Sequence, residues 1–122
     1  MAALLVATAC GGGGGGGGGG SQTCNPGTRT TFTIDSTGVS PKAACVKPGG
    51  TVHFENEDSV AHGIASDDCA VLDVANLDSM TSTEVSPPSV AVCTFHDATD
   101  PTNTAFQGTL AVTNGQVTGG GY

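Results

Sequence analysis

The chain has 122 residues, and its three Lys/Arg against eleven Asp/Glu give a formal net charge of −8. A surface this acidic carries no electrostatic footprint for nucleic acid or for anionic lipid headgroups, so neither is an expected partner. With no Trp, one Tyr and four Phe, the core has to come largely from Val, Ala, Leu and Ile. The length allows one domain, no apolar run approaches the ~20 residues that span a bilayer, and abundant Thr and Val with Gly/Pro punctuation indicate strands.

Residues 1–10, Met-Ala-Ala-Leu-Leu-Val-Ala-Thr-Ala-Cys, are apolar, end in small residues and stop at Cys10. They resemble the tail of a bacterial lipoprotein signal peptide, which makes Cys10 the lipidation candidate. The missing basic region places the expected true start upstream. The unbroken glycine run Gly11–Gly20 has no side chains to bury. As part of a tether over 11–23 it would hold a domain about 16–19 Å from an anchor on average. Five cysteines in a small exported chain suit an oxidising periplasm or cell surface.

The foldable part is expected over 24–114. Thr30–Ile34 alternates polar and apolar residues and predicts a half-buried strand. Ser40-Pro41 opens a second segment, Lys47-Pro48-Gly49-Gly50 is a turn, and Thr51–Glu55 alternates again with Val52 and Phe54 inward and His53 outward. Ala61–Ala65 reads as a central strand. Asp67–Met80 has no clean period and is expected to be a long connection with one helical turn. Val85-Ser86-Pro87-Pro88 breaks the chain. Ser89–Cys93 and Gly108–Val112 are the last two strands, and 115–122 is expected to be a flexible tail. Short strands at such spacing predict an all-β antiparallel sandwich in a single domain.

The informative constellation is His62, Cys93 and His96, with Cys93-Thr94-Phe95-His96 expected to leave a strand for a loop. Two imidazoles and a thiolate form the trigonal set that selects copper and tunes it for one-electron transfer. Around these residues the segment from Ser40-Pro41 through Val46-Lys47-Pro48-Gly49-Gly50-Thr51-Val52-His53-Phe54-Glu55-Asn56-Glu57-Asp58 to His62 resembles the first half of the cupredoxin pattern, that of the plastocyanin/azurin blue copper proteins. Cys93-Thr94-Phe95-His96 with Gln107–Val112 is similar to the second half. The resemblance implies a Greek-key β-sandwich and one mononuclear copper ion held by His62, Cys93 and His96. It puts Phe106, which cannot coordinate, at the position usually held by an axial Met. The Ala61 carbonyl, Asp97, Asp100 or water are the candidates for a fourth ligand. Gly63 stands where many members carry a side chain that clamps the ligand loop.

The function implied is a monomeric, lipid-anchored Cu(I)/Cu(II) electron carrier, not an enzyme: the chain has no Ser/His/Asp order, no phosphate loop and only three histidines. A copper storage or delivery module without redox cycling and a metal-free structural sandwich are the alternatives. Zinc would need Cys69 to join the other three ligands, and Cys69 lies outside any zinc-pair spacing. With Cys10 and Cys93 assigned, Cys24, Cys45 and Cys69 leave one disulfide and one free thiol, with Cys45–Cys69 the favoured pair. Met80 is expected to be a core or loop residue rather than an axial ligand. Glu55, Glu57, Asp58, Asp67 and Asp68 read as a solvated rim or, on the sharper reading, a patch for a basic redox partner.

Overall fold

The computed structural model of the chain describes residues 23–118, so Cys10 and most of the expected tether lie outside the described residues. The strands are β1 (Thr23–Cys24), β2 (Gly27–Asp35), β3 (Gly38–Ser40), β4 (Ala43–Asn56), β5 (His62–Ala65), β6 (Val74–Leu77), β7 (Ser82–Val85), β8 (Ala91–Asp97), β9 (Gly108–Val112) and β10 (Val117–Thr118). Two 3-10 turns, Ala70–Leu72 and Thr104–Phe106, sit in the connections.

Hydrogen bonding runs β3-β2-β4-β9-β8-β5-β6, with β7 added on β4. β4 belongs to both layers. Its first arm pairs in parallel with β9, Ala44 opposite Leu110 and Val46 opposite Val112. Its second arm pairs in parallel with β2, Val52 opposite Thr30 and Phe54 opposite Phe32, and antiparallel with β7. The bend between them is the predicted Lys47–Gly50 turn, where Gly49 takes φ 80°. A Cβ on Gly50 would lie 2.7 Å from Val46 Cγ2 and 2.9 Å from the Lys47 and Thr28 carbonyls. The all-β sandwich is as the alternation predicts, but it is mixed rather than antiparallel: β4 runs parallel to both β2 and β9, because the late strand β9 is inserted between β4 and β8.

The core lies between the layers. Phe32, Ile34, Val52 and Phe54 of one face Val46, Cys93, Phe95, Leu110 and Val112 of the other, all buried. Phe95 joins them, edge-on to Phe32 at 4.8 Å and to Phe54 at 5.5 Å between ring centroids. Burying each such ring contributes roughly 1.5–3 kcal/mol by apolar area.

Three expectations are corrected here. Asp67–Met80 is not all connection: Val74–Leu77 forms a short edge strand on β5. It shows no period because Ala75 and Asn76 are exposed, leaving Leu77 as its buried anchor. Residues 117–118 are not tail, since Val117 pairs with Cys24 and Thr118 with Thr23. The favoured Cys45–Cys69 disulfide does not form. Cys24 bonds Cys45 and Cys69 bonds Cys93, which leaves no free thiol among the described residues. The first bridge ties the β1–β10 ribbon to β4, and the second ties the Ala70–Leu72 turn to β8.

Candidate functional site

β8 decides the site. It runs through Asp97 rather than ending at Cys93, so Cys93 lies mid-strand and its neighbours alternate. Cys93, Phe95 and Asp97 point inward and are buried, while Thr94 is exposed and His96 half-buried. The residue that reaches His62 is therefore Asp97, four positions and about 13 Å along the strand from Cys93. Its Oδ2 makes a short contact with His62 Nδ1. Ile64 opposite Asp97 sets the register of β5 on β8.

The other imidazole nitrogen is also taken: His62 Nε2 lies 2.8 Å from Asp58 Oδ2. His62 is 6 % exposed and Asp97 4 %. Phe106, carried by the second 3-10 turn, stacks on the imidazole at 5.0 Å between centroids and 27° between planes. Lys42 holds that turn in place, its Nζ donating to the carbonyls of Thr104 at 2.8 Å, Ala105 at 2.7 Å and Gln107 at 3.2 Å.

Both carboxylates are themselves anchored. Asp97 Oδ1 accepts from the Thr99 amide at 2.8 Å, the Thr99 hydroxyl at 2.7 Å and the Gly63 amide at 3.4 Å. Gly63 is needed for this approach, because a Cβ there would come within 3.0 Å of the Ala75 carbonyl and of Ala98 Cβ. Asp58 Oδ1 accepts from the Ser59 amide at 2.7 Å, and the Asp58 amide donates to Asn56 Oδ1 at 2.9 Å. Buried Asn56 thus fixes the loop that aims Asp58.

Charge follows from this geometry. Burial alone would push the His62 imidazole down, but hydrogen bonds and charge from Asp58 and Asp97 outweigh it and hold His62 above its ordinary 6.5. Burial alone would push Asp97 up; the Thr99 amide, His62, the Thr99 hydroxyl and the Gly63 amide together hold it below 3.8. Asp58 is also held low, first by its hydrogen bond to His62. An imidazolium between two carboxylates is an ion triad with one surplus negative charge, which the amides of Thr99, Gly63 and Ser59 and the Thr99 hydroxyl solvate.

The expected copper donors are not assembled. Cys93 is bonded to Cys69 and offers no thiolate, and the same bond removes Cys69 from any zinc set. His62 has a carboxylate on each nitrogen. His96 does share one small cavity with His62 and Phe106, of about 10 Å³, roughly the size of one water molecule. Among the described residues no group of three or more His, Cys, Asp or Glu has the geometry to hold a metal ion. The residues present do not fit a blue copper centre. The sequence offers Asp97 only as a candidate fourth copper ligand and misses it as His62's hydrogen-bond partner, because it places the end of β8 at Cys93. The alternation of Cys93, Phe95 and Asp97 is the signal that finds it. Of the named residues, the fold brings His62, Phe106, Asp58 and Asp97 together, and sets Cys93 apart. Met80 is in a loop, as expected, and exposed. His53 lies between Glu84, at 3.2 Å from Nδ1, and Glu55, at 3.1 Å from Nε2.

No protein-family model matches the chain. No curated protein matches it either. Solved structures do. A purple cupredoxin from Nitrosopumilus maritimus matches with a TM-score of 0.56 and 21 % identity, over 68 % of this chain and 98 % of that one. An oxidized amicyanin variant matches with a TM-score of 0.58 and 16 % identity, over 68 % of this chain and 80 % of that one. A copper-containing nitrite reductase from Thermus scotoductus matches at 0.59 and 17 % identity, over 68 % of this chain but 22 % of its own length. This chain has the cupredoxin fold. Among its described residues no helix is long and apolar enough to cross a membrane.

Proposed function

We propose that this cupredoxin-fold domain is a non-catalytic module that works by contact, its metal position occupied by the Asp58–His62–Asp97 triad. The observation that carries the reading is that both nitrogens of His62 are engaged by carboxylates. A metal would have to displace one of two anchored anions, and the expected sulfur donor, Cys93, is in a disulfide. The triad and the stacked Phe106 tie together the ends of β4, β5 and β8. The apolar head, Cys10 and glycine run of the sequence favour display from a lipid anchor at the periplasmic face or cell surface.

A second reading keeps a copper carrier, or a storage and delivery site, on His62, Cys93 and His96. It is favoured by the copper proteins among the fold neighbours and by the cavity that His62 and His96 share. It requires reduction of Cys69–Cys93 and release of His62 from Asp97. One experiment separates the readings: thermal melts and visible spectra of the oxidised protein with one equivalent of Cu(II), and of the thiol-reduced protein, freed of reductant, with one equivalent of Cu(I) and again after the metal is oxidised to Cu(II) with ferricyanide. A ligand that binds only the folded state must raise its melting temperature. The expected result is no intense thiolate band and a melting temperature unchanged by either ion. A strong visible band with a raised melting temperature would establish the carrier instead.

A further inference from the structure

Between β6 and β7 the chain makes a four-residue turn, closed by the Thr81 amide on the Asp78 carbonyl at 3.2 Å. Its third residue, Met80, has φ 61°, the left-handed region that glycine or asparagine ordinarily supplies at such a place. Met80 is also 73 % exposed, more than any other large apolar side chain described. Its backbone is strained and its side chain is wasted on water, and the fold gains from neither. A residue that breaks two local rules at once, in a sequence otherwise consistent with its structure, points to a use outside the fold.

The surroundings are built to hold this side chain out. Asn56, 1 % exposed, donates through Nδ2 to the carbonyls of Val60 at 2.9 Å, Leu77 at 3.0 Å and Asp78 at 3.2 Å. Ser79 Oγ donates to the Asp58 carbonyl at 2.8 Å. The two loops are therefore stitched into one platform, and the second carries Val60, 54 % exposed. Glu55 and Glu57 line a shallow hollow together with Met80, and Asp78 is exposed in the turn itself. No Lys or Arg occurs anywhere after Lys47; the basic side chain beside the rim is His53, whose Nε2 lies 3.1 Å from Glu55 Oε2.

We propose that Met80 and Val60, ringed by Glu55, Glu57 and Asp78, form a docking surface for a partner protein with an apolar pocket edged by lysine or arginine. A rigid exposed anchor inside a charged rim is the anatomy of an interface hot spot, and the rim's sign selects a basic partner. This rests on the reading of the domain as a module that works by contact.

The test uses a short peptide with one Trp flanked by lysines, added to the protein in EDTA. The protein has no Trp of its own, so the indole emission reports the peptide alone. Met80→Gly is expected to weaken binding about tenfold while raising the melting temperature, because glycine relieves the strained φ. A lysine-only peptide is expected to displace the Trp peptide poorly, and Asp67→Asn, away from the platform, to leave binding unchanged. Unchanged affinity in Met80→Gly, no binding at all, or equal displacement by the lysine-only peptide would overturn the surface. Melting the unaltered protein with and without copper keeps the two proposals apart: no peptide binding by that protein, together with no thermal response to copper, removes this inference and leaves the metal-free module standing.

Discussion

Replacing Asp97 with Ala is expected to lower the folding free energy by about 3 kcal/mol, the scale for stripping one partner from a buried ion pair. The loss goes beyond one contact. His62, 6 % exposed, would keep a single carboxylate, and the amides of Thr99 and Gly63 would lose their acceptor. For a domain of ordinary stability this is a large share of the total. Asp97→Asn, which keeps an acceptor for Thr99 but not the charge, is expected to lose less. Equilibrium urea unfolding at neutral pH measures both. The same triad sets the pH dependence. Because His62 is held above 6.5, its contribution is complete below that value and is lost as pH rises through the raised one. Because Asp97 is held below 3.8, its contribution is complete above 3.8 and is lost as pH falls through the lowered one. The triad's stabilisation therefore peaks between these limits, at mildly acidic pH. The double variant Asp97→Asn/His62→Gln should flatten the alkaline decline.

Removing the Cys69–Cys93 bridge is the second large expected effect. Its two ends are 24 residues apart, and freeing a loop of that length from its cross-link costs about 3 kcal/mol in the chain-entropy account. Cys69→Ala/Cys93→Ala should show that loss in urea, with the native sheet retained in circular dichroism. Cys69→Ala alone is expected to free the Cys93 thiol without producing a blue copper band, because that sulfur lies about 13 Å along β8 from the end that meets His62. A blue chromophore in the single variant would mean that β8 can shift its register to bring sulfur to imidazole.

Much of the sandwich is legible in local pattern. Thr30–Ile34 and Thr51–Glu55 alternate because each has one face on the core, Gly108–Val112 reads as a short apolar run because Leu110, Ala111 and Val112 are all buried, and the Lys47–Gly50 turn announces itself by composition. The edge strand Val74–Leu77 and the ribbon of Thr23–Cys24 with Val117–Thr118 are illegible for a shared reason. Edge and ribbon strands bury too few side chains to write a period, and the ribbon is held by a disulfide whose pairing no spacing dictates. The site is half legible. His62 and Phe106 are identifiable as neighbours through the resemblance to the cupredoxin pattern, and they do stack. Cys93-Thr94-Phe95-His96 misleads because its two polar ends match a ligand motif. What decides their placement is where β8 stops, and that is set by pairing with β5 and β9. Reading the strand on to Asp97 puts a carboxylate, not a thiolate, beside His62.

The account stands on both ring nitrogens of His62 being occupied by protons shared with carboxylates. Long-range proton–nitrogen NMR of the histidine side chains, at mildly acidic pH between the two limits above and with and without one equivalent of Cu(I), observes this directly. The expected spectrum has both His62 nitrogens protonated and unmoved by copper. An unprotonated Nδ1 that shifts when copper is added would contradict it.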